Sequence, residues 1–127
     1  MSFLFPVFKG IPYAAAPVGD LRWRPPKGAP SWRKLRDATE YGSTCAQFPS
    51  KVLWFELGKV SEDCLTLNVH TAVEHPKRLA PVMVYIHGGG FSNGSGNIPR
   101  LNGTAMARQD VVLVTINYRL SVFGFLN

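Results

Sequence analysis

Two short apolar runs constrain the fold of this chain more than anything else in it. Residues 82–87 (VMVYIH) and 111–117 (VVLVTIN) are nearly unbroken stretches of aliphatic and β-branched side chains. Runs of this length are strands rather than helices, and their lack of alternation predicts burial on both faces, as in a mainly parallel sheet. Between them, residues 101–110 (LNGTAMARQD) predict a short helix capped by Thr104 and running through Asp110. Strand, helix and strand in that order make a right-handed crossover unit. A third run, residues 64–71 (CLTLNVHT), alternates with Leu65, Leu67 and Val69 on one face and predicts a half-buried strand. Residues 9–36 hold Pro12, Pro17, Pro25, Pro26 and Pro30, which exclude a long helix there. Tyr13, Trp23 and Trp32 punctuate the same stretch, so it is expected to be an irregular meander packed on the surface. The class is α/β, and 127 residues allow one domain at most.

Composition excludes several functions. With 46% hydrophobic and 17% charged residues the chain is not intrinsically disordered. No apolar run approaches the roughly 18 residues of a membrane span. The first eight residues (MSFLFPVF) are apolar, but their first basic neighbour, Lys9, follows them, so they do not read as a secretory signal. The net charge of +6 gathers once, in Arg22, Arg24, Lys27, Arg33, Lys34 and Arg36. That cluster lies among prolines and near Asp20, Asp37 and Glu40, which reads as a solvated loop face rather than a nucleic-acid footprint. His70, His75 and His87 lack zinc-ligand spacing and no paired-cysteine motif exists, so neither a metal nor another cofactor is expected. Cys45 and Cys64 leave 18 residues between them, and on spacing alone either a bridge or two buried thiols fits.

The chemistry-bearing feature is residues 87–96 (HGGGFSNGSG), directly after a predicted buried strand. A phosphate loop does not fit: no lysine follows the glycines, and a G-x-G-x-x-G frame starting at Gly88 ends on Asn93. Gly90-Phe91-Ser92-Asn93-Gly94 matches the G-x-S-x-G string of a nucleophile elbow. An elbow sits between a strand and a helix, with an acid and then a histidine after it. No histidine follows Ser92, and residues 95–99 cannot open a helix cleanly. The third reading is an oxyanion loop. Acyl transfer builds negative charge on a carbonyl oxygen, and backbone N–H groups aimed at that point stabilise it. Consecutive glycines let a substrate approach the backbone closely. A plain glycine-rich turn would have the same composition.

Longer motifs carry a resemblance. They are Phe8-Lys9-Gly10-Ile11-Pro12-Tyr13-Ala14, Leu21-Arg22-Trp23-Arg24-Pro25-Pro26, Ser61-Glu62-Asp63-Cys64-Leu65-Thr66-Leu67-Asn68, the segment 82–91, Asn117-Tyr118-Arg119 and Phe123-Gly124-Phe125-Leu126. Through them the chain resembles the N-terminal part of a type-B carboxylesterase, the family that includes cholinesterases. The resemblance implies an α/β-hydrolase fold, of which residues 1–127 would be an incomplete N-terminal part truncated at both ends. It implies hydrolysis of small-molecule carboxylic esters, with Gly89 and Gly90 as oxyanion donors. It also implies a Cys45–Cys64 disulfide and hence an oxidising, secretory setting, although no signal peptide is read here. Arg22 and Glu62 match a pair that forms a salt bridge in relatives. Trp54 stands where choline-binding relatives carry a cation-holding tryptophan; a packed or surface role is the expectation here. Asn93-Gly94-Ser95 and Asn102-Gly103-Thr104 are glycosylation sequons, of which Asn102 is the better placed, since a glycan on Asn93 would block the loop.

In such relatives the nucleophile, acid and base come after the point that Asn127 matches. The expectation is therefore an oxyanion loop without a catalytic triad, inactive alone and complemented by a C-terminal segment. Strand 82–86 would lack its neighbour and present a hydrophobic edge. The alternative from another class is a noncatalytic, cholinesterase-like adhesion module.

Overall fold

A computed structural model describes residues 5–48, 56–71, 79–98, 101 and 103–126. Strands β1 (Val7–Pro12), β2 (Thr44–Cys45), β3 (Val60–Ser61), β4 (Thr66–His70), β5 (Val82–Ile86) and β6 (Val112–Ile116) appear with helices α1 (Thr104–Ala107) and α2 (Ser121–Phe125). Four strands form one sheet in the order β1-β4-β6-β5, and β2 pairs with β3 in a separate parallel ladder. The β5–β6 pairing is parallel, as the crossover requires, with Val84 opposite Val114. The two pairings on the other side, β1–β4 and β4–β6, are antiparallel. The portion described is thus the antiparallel flank of a mixed α/β sheet, joined to its first parallel pair.

Several expectations need correction. β1 falls partly inside the stretch expected to be irregular. Lys9 and Gly10 together oppose Asn68 alone, so the register slips by one residue between Phe8 and Ile11. This bulge breaks the two-residue period that would reveal a strand. Gly10 takes φ 63°, and a Cβ there would stand 2.7 Å from the Glu40 carbonyl oxygen. The helix after β5 is shorter than expected. Thr104 is its first residue rather than its cap, and Gly103 occupies the cap position. Gly103 sits hard against the His70 side chain and donates its N–H to His70 Nδ1 at 3.1 Å. Past Ala107 the chain tightens, with Gln109 and Asp110 donating to Met106 and Ala107.

The apolar strand β5 is not buried on both faces. All five residues are exposed, from 37% at Tyr85 to 65% at Ile86, because β5 is a sheet edge with no layer described over either face. On β4 the alternation is real, but the face it buries is the polar one. Asn68 and His70 are almost fully enclosed, while Leu67 and Val69 are half-buried. The cause is a polar interior. Thr44, Asn68, Ser95, Thr115 and Asn117 are each at most 1% exposed and bond one another and the loop after β5. The apolar core lies elsewhere, in Ala14, Cys45, Cys64, Leu65 and Leu120, with Tyr118 packed against it.

Candidate active-site loop

Strand β5 delivers the chain to His87, whose ring is 4% exposed. The ring stacks on Tyr118 with centroids 4.4 Å apart and planes 18° from parallel. Tyr118 donates its hydroxyl to the His87 carbonyl at 2.7 Å. Tyr118 also packs on the disulfide core, so the start of the loop is tied to the most buried part of the molecule. His87 Nδ1 lies 2.9 Å from the Gly88 carbonyl oxygen, while Nε2 is buried and meets no partner among the described residues. Burial pushes the imidazole below its ordinary pKa, with the bond to Gly88 opposing. The ring is therefore neutral, and because a carbonyl only accepts, its proton is on Nδ1.

Residues Gly88, Gly89 and Gly90 follow, all exposed. Gly89 has φ 130°, and a Cβ on it would stand 1.8 Å from the Asn93 carbonyl oxygen. No other residue fits there. The Gly89 carbonyl accepts from both Ser92 N–H (3.1 Å) and Asn93 N–H (3.2 Å). The N–H groups of Gly89 and Gly90 make no hydrogen bond among the described residues. Phe91 is held at φ 60°, a conformation that costs a non-glycine residue. Its carbonyl takes the Ser121 N–H at 2.7 Å and its ring lies 4.6 Å from that of Phe125. An open cleft bounded by Gly90, Phe91, Ser121, Val122 and Phe125 runs alongside the glycines.

The return limb, residues 94–97, is fastened by side chains that sequence reasoning did not single out. Gln47 bonds Gly94 twice, accepting its N–H at 2.9 Å and donating to its carbonyl at 2.8 Å. Asn117 Oδ1 accepts from Gly96 N–H at 2.8 Å and from the Ser95 hydroxyl at 3.2 Å, and its amide donates to Ser43. Asn68 donates toward Gly96, Asn97 and Thr115 while accepting from Gly10 N–H. The available signal was asparagine at the end of each of two otherwise apolar motifs, residues 64–68 and 111–117.

Ser92 is exposed, donates to the Gly90 carbonyl at 3.1 Å and sits on a turn rather than a strand-to-helix elbow. No imidazole bonds it among the described residues; His70 accepts from Gly103, and His87 donates to Gly88. Cys45 and Cys64 form a disulfide with Cα atoms 4.9 Å apart. Arg22 grips Glu62 through two bonds, Nε to Oε2 at 2.5 Å and Nη2 to Oε1 at 2.7 Å. Those bonds lower the Glu62 pKa. Trp54 and Asn102 lie outside the described residues. Among the described residues no cluster of His, Cys, Asp or Glu could hold a metal ion, and no helix is long and apolar enough to cross a membrane.

The family model for the carboxylesterase family matches residues 3–127. The chain belongs to the carboxylesterase family. It is 48% identical over 124 residues to a para-nitrobenzyl esterase of Bacillus subtilis, covering 94% of this chain and 25% of that protein. It is 44% identical over 119 residues to a fumonisin B1 esterase of Sphingopyxis macrogoltabida, covering 94% of this chain and 22% of that protein. Its fold superposes on a Geobacillus stearothermophilus carboxylesterase with a TM-score of 0.86 and 46% identity, over 99% of this chain and 25% of the other. The chain thus spans about a quarter of the length of the carboxylesterases it matches, and its fold is the corresponding part of the α/β-hydrolase sheet.

Proposed function

We propose that this chain supplies the oxyanion-binding side of a carboxylic ester hydrolase, with the N–H groups of Gly89 and Gly90 as donors. One observation carries the reading. Two consecutive glycine peptides at the end of a sheet strand have their carbonyls tied back into the loop and their N–H groups exposed and without a partner among the described residues. Unpaired backbone donors in a fixed loop are what a developing oxyanion needs, each contributing about 3–4 kcal/mol to transition-state stabilisation. The open cleft beside Phe91 and Phe125 would take an apolar portion of a small ester. In this reading the nucleophile, acid and base are supplied by another segment: among the described residues no base bonds Ser92, and both described histidines are committed to backbone groups. A C-terminal segment pairing along β5 would complete the site. The Cys45–Cys64 bridge supports maturation in an oxidising, secretory compartment.

The test is a chimera in which this chain replaces the matching N-terminal quarter of the Bacillus subtilis para-nitrobenzyl esterase. Turnover of a short-chain p-nitrophenyl ester is expected from the chimera and not from the 127 residues alone. Gly89→Ala in the chimera keeps the N–H, but its Cβ would stand 1.8 Å from the Asn93 carbonyl oxygen, so the substitution should displace the donor and lower kcat by up to the order of 10²–10³ expected for a lost oxyanion donor. Turnover by the isolated chain with a fluorophosphonate label on Ser92, or a Gly89→Ala chimera of full activity, would contradict the proposal. A noncatalytic interaction module is the second reading, favoured by the exposed apolar edge of β5. It predicts a folded chimera that binds partners and turns over nothing.

A further inference from the structure

We propose that His87 is a positioning residue for the first oxyanion donor, fixing the Gly88–Gly89 peptide plane through its Nδ1–H bond to the Gly88 carbonyl. This rests on the oxyanion reading above. No cis bond occurs among the described residues, so the N–H of Gly89 points opposite to the carbonyl of Gly88 within one rigid plane. Whatever holds that carbonyl aims that N–H. Glycine on both sides leaves the plane little torsional restraint of its own. The next peptide has its own tether, since Ser92 and Asn93 hold the Gly89 carbonyl and so aim the Gly90 N–H. The first plane has no backbone tether among the described residues and depends on the His87 side chain.

The surroundings of the ring suit this role. Tyr118 stacks on it and Gly94 leaves it room; a Cβ on Gly94 would stand 2.3 Å from Nδ1. Among the described residues the buried Nε2 meets no partner, so a proton there would be an unsatisfied donor, whereas Nδ1–H finds an acceptor. One tautomer is therefore selected, and it is the one that tethers Gly88.

Two variants separate donation from packing. His87→Phe keeps an aromatic ring on Tyr118 and loses the donor. His87→Asn keeps an N–H donor at the same distance along the side chain and loses the stack. In the esterase chimera, His87→Phe should lower kcat at least about tenfold with KM nearly unchanged, because an oxyanion donor acts chiefly on the transition state. His87→Asn should retain kcat within about threefold even though it melts earlier. Equal losses in both variants, or full kcat in His87→Phe, would overturn the proposal. Long-range ¹⁵N–¹H correlation on the ring in the full wild-type chain gives a readout independent of ester hydrolysis. Protonation at Nδ1, with a Gly89 amide shift kept in His87→Asn and lost in His87→Phe, supports the role even where no ester is turned over. Protonation at Nε2 overturns it whatever the activity.

Discussion

Replacing Asn68 tests whether the buried polar interior holds the glycine loop. Its side chain is 1% exposed. Oδ1 accepts Gly10 N–H at 3.0 Å, and Nδ2 faces Gly96 O, Asn97 Oδ1 and Thr115 Oγ1 at 3.3, 3.1 and 3.0 Å. Asn68→Ala strips the partner from Gly10 N–H and from Asn97 Oδ1, while Gly96 O keeps the Thr115 hydroxyl at 2.8 Å. Both orphaned groups are part-buried, so each costs at most about 1–3 kcal/mol, and the predicted loss is about 1–4 kcal/mol. That is a large share of a total of about 5–15 kcal/mol. Asn68→Asp keeps the acceptor for Gly10 but points a carboxylate oxygen at three other oxygens. At pH 7 it should cost more than the alanine. Its carboxyl is raised in the folded state, so the folded chain takes up a proton more readily than the unfolded one. The aspartate variant should therefore regain stability relative to wild type as pH falls from 7 to 5. Urea unfolding followed by circular dichroism, with wild type measured at each pH, reads both effects. An alanine cost under about 1 kcal/mol, with a pH-independent aspartate, would refute the reasoning.

Replacing both cysteines by alanine should lower stability by about 3 kcal/mol, the loop-closure value for 19 residues of separation, read by the same urea titration. Acid should destabilise the chain in two stages. His70 and His87 are pushed below their ordinary pKa by burial, so the unfolded state takes up protons first and stability falls as pH drops below about 6.5. Glu62, held low by Arg22, contributes above the ordinary carboxylate range and loses that contribution as pH falls through its lowered value. A His70→Gln chain should lack part of the first stage when thermal melts at pH 7.5 and 5.5 are compared. Val84→Lys, at the centre of the exposed edge strand, should reduce self-association in light scattering without moving the melting temperature by more than a few degrees.

The parts of this fold that announced themselves were those with one dominant interaction. Strands β5 and β6 showed in their β-branched runs, and the glycine loop showed because no other residue can replace Gly89. The bulged strand β1 did not show, because the Lys9–Gly10 insertion destroys its period. The buried face of β4 did not show either. Alternation gives two faces, and a rule that puts leucine inside chooses Leu67 and Val69 over Asn68 and His70. That rule fails where the interior is a satisfied hydrogen-bond network. Burial of β5 on both faces, read from its composition, did not hold, whereas the exposed hydrophobic edge expected from the resemblance is what the described sheet presents. The partnership of Arg22 with Glu62, 40 residues apart, came only through resemblance. His87 reads in the sequence only as the head of a glycine motif; its bond to the carbonyl of the next residue depends on the left-handed and strained turns that follow it.

The claim on which the rest depends is that Gly89 and Gly90 hold an oxyanion. The most direct measurement is a crystal structure of the esterase chimera with a trifluoromethyl ketone bound to its nucleophile. The account predicts the ketone-derived oxygen within about 2.7–3.1 Å of the nitrogens of both Gly89 and Gly90. An adduct whose oxygen is held by other groups, with both glycine nitrogens beyond hydrogen-bond reach, would contradict it.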